Sequence, residues 1–163
     1  MKYRAYIDIE TTGLSRYYCD LTVIGIALEK AGKCRTIQLI EDDLCEKKLL
    51  KTLRDVDEIY SYNGSRFDLP FIENKFRIDL KGRFRHTDLM YECLRQNLKG
   101  GLKVVERLLG IKRHLTGVDG AMAVRLWYDY LNNNNSYALR KLLAYNEEDV
   151  VNLRVLRRKL GIK

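Results

Sequence analysis

The sequence predicts an α/β fold, a mixed five-stranded sheet flanked by helices, and three observations carry that prediction. Two strand-like runs, Leu21–Lys30 and Lys33–Ile40, meet at Ala31-Gly32 as a hairpin. Beyond them, short apolar strand segments alternate with helical stretches, and Ser136–Lys159 closes the chain with apolar residues at helical spacing. A leading antiparallel meander followed by strand–helix units calls for a sheet of mixed direction with helices packed on it. With 163 residues, a single domain over 1–163 can bury a proper core.

Lys2–Glu10 reads as the first strand. Alternation sends Ala5, Ile7 and Ile9 to one face and Tyr6, Asp8 and Glu10 to the other. The flanking isoleucines make it a central, largely buried strand, and Thr11-Thr12-Gly13 ends it in a turn. Asp42–Arg54 is expected to be helical, Asp57–Ser61 and Gly82–His86 to be the fourth and fifth strands, and Leu89–Gln96, Leu102–Leu109, Gly120–Leu131 and Ser136–Lys159 to be helices. Asn63-Gly64-Ser65 breaks the fourth strand. Asp68 then suits a helix cap and Pro70 a first turn. The run Asn132–Asn135 reads as an exposed turn.

The chemistry lies in acidic residues scattered along the chain. Asp8 and Glu10, two apart on a buried strand, project side by side, and adjacent buried anions need a counter-charge. A divalent cation supplies one, and a pair of cations about 3.5–4 Å apart suits phosphoryl displacement. A solvated edge strand would show the same short pattern. Asp68 either caps its helix or faces the carboxylates of the first strand, with Phe67 beside it to stack on a base. Tyr145 and Asp149, one helical turn apart, share a face with Asn152. There the tyrosine can hold a water next to a metal-binding aspartate, or be a half-buried tyrosine beside a surface acid.

Taken in order, Asp8/Glu10, Asn63/Phe67/Asp68 and Tyr145/Asp149 resemble the three motifs of the DEDDy-type 3′–5′ exonucleases of the ribonuclease H-like superfamily, and among these the compact YprB-type domains. The resemblance runs between the motifs through Phe84–Leu89, Asp119–Tyr130 and Tyr145–Leu153, and covers almost all of the chain. It implies a ribonuclease H-like strand order and two Mg²⁺ or Mn²⁺ ions. Asp8 would bridge both ions, Glu10 and Asp149 complete the first site, Asp68 hold the second through water, and Tyr145 orient or activate the attacking water. It also implies substrate contacts from Thr11, Thr12, Asn63 and Phe67, a contact of Glu10 with the terminal 3′ hydroxyl, and Leu14 wedged against the last base. The implied reaction is hydrolysis of single-stranded DNA or RNA from its 3′ end to 5′-mononucleotides. A non-catalytic nucleic-acid-binding module, a structure-selective endonuclease and a nuclease for very short oligonucleotides are the competing readings.

Net charge supports a polyanionic partner. The chain carries +8, and Lys75–Arg113 alone holds eleven basic residues against four acidic ones. Within it, Lys99-Gly100-Gly101-Leu102-Lys103 is the best local candidate for backbone contact, with Lys99 and Lys103 on either side of two glycines. Arg154, Arg157, Arg158 and Lys159 read as a solvated helix end. His114 and Asp119 have the spacing of the sister class that uses histidine, but Gly117 and Gly120 place them in a loop. Asp88 is expected to cap the helix after it, with His86 at the sheet edge. Cys19, Cys34, Cys45 and Cys93 lack metal-site spacing and read as reduced thiols of a cytoplasmic protein. No signal peptide and no membrane-spanning run are expected.

Overall fold

The computed structural model describes residues 2–162. Five strands, β1 (Tyr3–Thr11), β2 (Leu21–Lys30), β3 (Lys33–Ile40), β4 (Val56–Ser61) and β5 (Arg85–Asp88), form one sheet in the order β3-β2-β1-β4-β5. β1 pairs antiparallel with β2 and parallel with β4, and β4 pairs parallel with β5. The predicted hairpin joins β2 to β3, with Ala31 and Gly32 both at positive φ, as a two-residue turn of matching twist requires. The helices are α1 (Glu46–Leu53), α2 (Asp68–Phe76), α3 (Leu80–Arg83), α4 (Leu89–Arg95), α5 (Leu102–Leu108), α6 (Gly120–Asn133) and α7 (Ser136–Lys159). None is long and apolar enough to cross a membrane.

Both faces of the sheet are covered. Ala5, Ile7 and Ile9 pack with Ile24, Ile26 and Leu28 against Leu49 and Leu53 of α1 and Leu69, Phe71 and Ile72 of α2. On the other face Tyr6, Ala27 and Tyr60 meet Leu89 and Cys93 of α4 and Val150, Leu153 and Leu156 of α7. The alternation expected along β1 therefore sorts its side chains between two cores, and Asp8 and Glu10 lie on the face that α7 crosses. The turn expected at Asn132–Asn135 is shorter: Asn132 and Asn133 still belong to α6, and only Asn134 and Asn135 form the corner to α7. Asn134 closes α6 in the left-handed conformation, and the Asn135 side chain accepts from the backbone N–H of Tyr137 and Ala138 to cap α7.

Four further local expectations are corrected. Asp42–Arg54 is not one helix: a 3₁₀ turn at Glu41–Asp43 is separated from α1 by Leu44 and Cys45. Gly82–His86 is not a strand from its start, because Asp79 caps the short helix α3 by accepting from Gly82 N–H and β5 begins only at Arg85. Asp68 caps nothing: Phe67 is the cap residue of α2, and Asp68 Oδ1 accepts from Ile9 N–H on β1 at 3.1 Å.

The fourth correction concerns the basic end of α7. Arg157 is buried and only Arg158 and Lys159 are exposed. Arg154 and Arg157 reach Glu29 of β2 at 3.0 and 3.3 Å, and Arg158 also bonds it. Tyr6 donates to the same carboxylate at 2.6 Å. Burial alone would raise the Glu29 pKa, but the bonds from Tyr6, Arg154 and Arg158 outweigh it and bring it down to about 2, from an ordinary 4.5. The pair thus adds stability that is complete above pH 4.5 and lost as pH falls through about 2. Glu29→Gln, which leaves Arg157 buried without its anion, is expected to cost about 3–5 kcal/mol at neutral pH. Urea unfolding at stepped pH should show that the gap from the parent closes below pH 4.5.

Candidate metal centre

Asp8 and Glu10 stand near the carboxyl end of the central strand, where open α/β sheets bind their ligands. Across from Asp8 on β2 lies Gly25, and the missing side chain there lets α7 sit directly on the sheet. A Cβ at Gly25 would lie 2.1 Å from Asn146 Oδ1. Asn146, fully buried, donates to Asp8 Oδ2 at 3.0 Å, and its own oxygen accepts from Gln38 of β3 at 3.0 Å. Gln38 also donates to the Leu143 carbonyl at 2.7 Å. These contacts set the height and rotation of α7, and so bring Asp149 to the strand carboxylates. Gly25→Ala is expected to destabilise the fold by about 1–3 kcal/mol, as overpacking does, and to lower any activity of the centre by moving α7. Thermal melts beside activity assays check both.

Asp8, Glu10 and Asp149 each offer a carboxylate oxygen, and the three oxygens lie within 4.8 Å of one another. Asp68 completes the acidic group from α2. The loop that delivers it is braced by Asp88, which accepts from Asn63 N–H, Ser65 N–H and the Ser65 hydroxyl at 2.8, 2.9 and 2.5 Å. Asp88 also caps α4 as expected, by accepting from Met90 N–H. Gly64 permits the tight turn, since a Cβ there would fall 2.1 Å from Ser61 Oγ.

The electrostatics are those of a cation site. Burial, then repulsion from Asp149, Glu10 and Asp68, raises the Asp8 pKa well above the carboxylate range. Burial, then Asp149 and Asp68, does the same to Glu10. Burial pushes Asp68 up to about 7, against the hydrogen bond from Ile9. Glu10 Oε1 is buried with no hydrogen-bond partner among the described residues, an arrangement normally costly enough to be avoided. An all-oxygen donor set holding an orphaned carboxylate oxygen fits a hard divalent ion such as Mg²⁺ or Mn²⁺. Burial, followed by the charges of Asp149, Glu10 and Asp8, holds the Tyr145 phenol far above its ordinary pKa, so it keeps its proton here.

A second layer of this centre is not apparent in the sequence. Arg113, one of the residues counted in the basic stretch, is not on the surface: its side chain is 12% exposed. It donates to Asp149 Oδ1 and, at 2.7 Å, to Glu106 Oε2, and its guanidinium carbon stands 5.6 Å from the centre of the Tyr145 ring. Glu106, only 1% exposed, is held in turn by Asn152 at 3.0 Å. Asn152 therefore serves this network from the face it shares with Tyr145 and Asp149. Neither Arg113 nor Glu106 lies in a motif. The one signal available was that Glu106 follows two apolar residues on a helix.

Of the residues expected at the substrate, Lys103 reaches the centre: its ammonium lies 4.7 Å from the Tyr145 ring centroid and bonds the Val118 carbonyl. Lys99 is exposed in the loop before α5. The Thr11 hydroxyl donates to Gly13 O at 2.7 Å, and the Thr12 hydroxyl accepts from Asp20 N–H at 2.8 Å, shaping the β1–β2 loop. That loop presents Leu14, 87% exposed. Phe67 is half-buried with its ring 5.6 Å from Phe71, and Asn63 is left-handed at the end of β4. His114 is exposed in a loop pinned by the Glu148 carboxylate, which takes the backbone N–H of His114 and Leu115, and Asp119 caps α6. His86 bonds Ser61 Oγ at 2.8 Å.

Strand order, covered faces and a carboxylate cluster at the end of β1 define a ribonuclease H-like domain. The family model of the RNase H superfamily matches residues 5–161, and the chain belongs to that superfamily. The uncharacterized protein YprB of Bacillus subtilis (strain 168) is 28% identical over 172 residues, 91% of this chain and 39% of YprB. The chain thus spans about two fifths of that relative's length. Among solved structures, the family B DNA polymerase of Pyrobaculum calidifontis superposes with a TM-score of 0.75 at 16% identity, over 99% of this chain and 25% of the polymerase. NrnC of Brucella melitensis superposes with a TM-score of 0.62 at 23% identity, over 97% and 71% of the two chains. NrnC is also known with bound Mg²⁺ and bound to pGG. These structural similarities establish the fold.

Proposed function

We propose that this domain is a metal-dependent 3′–5′ exonuclease that hydrolyses single-stranded DNA or RNA to 5′-mononucleotides. The observation that carries the reading is the convergence of Asp8, Glu10 and Asp149 within 4.8 Å, from a strand and a helix far apart in sequence, with Glu10 Oε1 left unpartnered. The RNase H superfamily and the Mg²⁺ and pGG complexes of a protein sharing the fold support it.

In this reading Asp8, Glu10 and Asp149 would hold one Mg²⁺ or Mn²⁺ ion, and Asp8 with Asp68, the latter through water, would hold a second. When bound, the ions supply a Lewis-acidic charge that favours hydroxide formation and stabilises the leaving 3′ oxygen. Tyr145, protonated and a helical turn from Asp149, orients the attacking water. Glu10 meets the terminal 3′ hydroxyl, Leu14 and Phe67 take the last base, and Thr11, Thr12 and Asn63 shape the walls. Lys103 adds positive charge beside Tyr145, and Lys99, exposed before α5, is the second lysine offered to the strand's backbone. We place the protein in the cytoplasm, where unpaired thiols such as its four remain reduced.

The test uses 5′-labelled single-stranded DNA and RNA oligonucleotides with Mg²⁺, Mn²⁺ or EDTA, beside Asp149→Ala. A metal-dependent ladder shortening from the 3′ end, absent in the variant, is expected. Binding without turnover in either metal, or internal cutting of a circular single strand, would overturn the exonuclease reading.

A further inference from the structure

The β1–β2 loop and α2 enclose two adjoining grooves beside the acidic centre. The inner one, about 200 Å³, is lined by Leu14, Arg66, Phe67 and Phe71, and the outer one, about 540 Å³, by Pro70, Asn74 and Arg77. Arg16 and Tyr17 line both, so the two grooves share one wall and form a channel beside Leu14 and Phe67. The outer groove has the size of a small-ligand site. Tyr17 is 67% exposed on its wall, with the Arg16 guanidinium 5.3 Å from its ring centroid.

The inner groove, with Arg16 and Arg66 and no acidic residue, is complementary to a phosphate backbone, whereas in the outer groove two arginines face two acids. Arg16, Arg66 and Arg77 make no ion pair among the described residues. Opposing them are Glu73 and Asp79 at the outer end, and Asp79 is already engaged as the cap of α3. An aromatic ring among unpaired guanidinium groups is how proteins hold single strands without reading sequence: bases stack on the ring and phosphates meet the cations.

We propose that this channel is an additional nucleotide subsite, in which Tyr17 stacks on a base beyond the one at the metal centre and Arg16 and Arg77 hold the phosphates beside it. The inference rests on the nuclease reading of the acidic centre and extends it: the domain grips several nucleotides of a strand, and affinity rises with strand length.

Binding of oligothymidylates of two to twelve nucleotides, followed by fluorescence anisotropy in Ca²⁺ or EDTA, tests this. The parent should bind the twelve-mer much more tightly than the dinucleotide. Tyr17→Ala should weaken the twelve-mer about tenfold, as loss of one base–aromatic stack does, and Tyr17→Phe should restore it. Arg77→Ala should weaken binding less and flatten its salt dependence. A twelve-mer carrying 5-iododeoxyuridine should photocrosslink to Tyr17. If the parent binds and degrades the twelve-mer but both alanine variants bind it within about twofold of the parent, or if crosslinks map instead to the Lys99–Lys103 segment, the subsite is wrong and the exonuclease reading stands. If the parent neither binds nor cleaves any strand, the nuclease reading fails and the subsite with it.

Discussion

Asp8→Asn is expected to abolish phosphodiester cleavage and to make the metal-free protein more stable. Loss of the several kcal/mol of charge stabilisation that a bound metal contributes corresponds to a fall of about a thousandfold or more. The stability gain has a separate cause. Asp8 is half-buried beside Glu10, Asp68 and Asp149, and unit charges within the 4.8 Å that spans the Asp8, Glu10 and Asp149 oxygens repel by a few kcal/mol at an effective dielectric of about 20. Its neutral hydrogen-bond partner, Asn146, can still donate to an asparagine oxygen at that place. Melting in EDTA should therefore rise by several degrees, at about 2–4 °C per kcal/mol for a domain of this size. The stabilisation of the parent by Mg²⁺ or Mn²⁺ should shrink in the variant. Retained metal-dependent cleavage would remove Asp8 from the centre, and a lower melting temperature in EDTA would contradict the repulsion.

Arg113→Ala is expected to have the opposite profile, with stability and activity falling together. Its guanidinium is the internal counter-charge for Glu106 and Asp149, and removing it leaves two buried carboxylates without that cation. Breaking a buried pair in this way costs about 3–5 kcal/mol. Arg113→Lys keeps the charge but not the planar fork that spans two carboxylates, so it should recover much of the stability and less of the activity. Adding Glu106→Gln to Arg113→Ala should restore part of the lost stability, because Asn152 can still donate to the amide oxygen and the unpaired charge is gone. Urea unfolding of the four proteins, with kcat and KM for an oligonucleotide, resolves these outcomes. If the double variant is no more stable than Arg113→Ala, the buried charge on Glu106 is not the source of the loss. Arg113 is a positioning residue here, acting through Asp149.

The carboxylates were legible because their signal is local. Two residues apart on a strand means one face, and four apart on a helix means one face, whatever the rest of the fold does. Asp8 with Glu10 and Tyr145 with Asp149 follow from that rule, and the hairpin at Ala31-Gly32 from equally local turn residues. Asp68 marks where it stops working: its position suits a cap, yet its carboxylate accepts from a strand 59 residues away. The same limit applies to Arg157, placed by spacing at a solvated helix end and by packing against Glu29.

The alternation of β1, the helix that carries Tyr145 and Asp149, the +8 charge and, through motif order, the superfamily are all readable along the chain. Each depends on periodicity or composition, which short segments hold without their neighbours. Packing is what reveals that Gly25 clears space for Asn146, that Gln38 holds α7 through Leu143 and Asn146, that Arg113 leaves the basic surface to neutralise Asp149, and that Arg16 and Tyr17 line one groove with Arg77. Those pairings span from tens to more than a hundred residues. What fixes them is desolvation: a buried amide or carboxylate must find whichever partner the packed sheet and helices bring within hydrogen-bond reach, and no local pattern names that partner in advance.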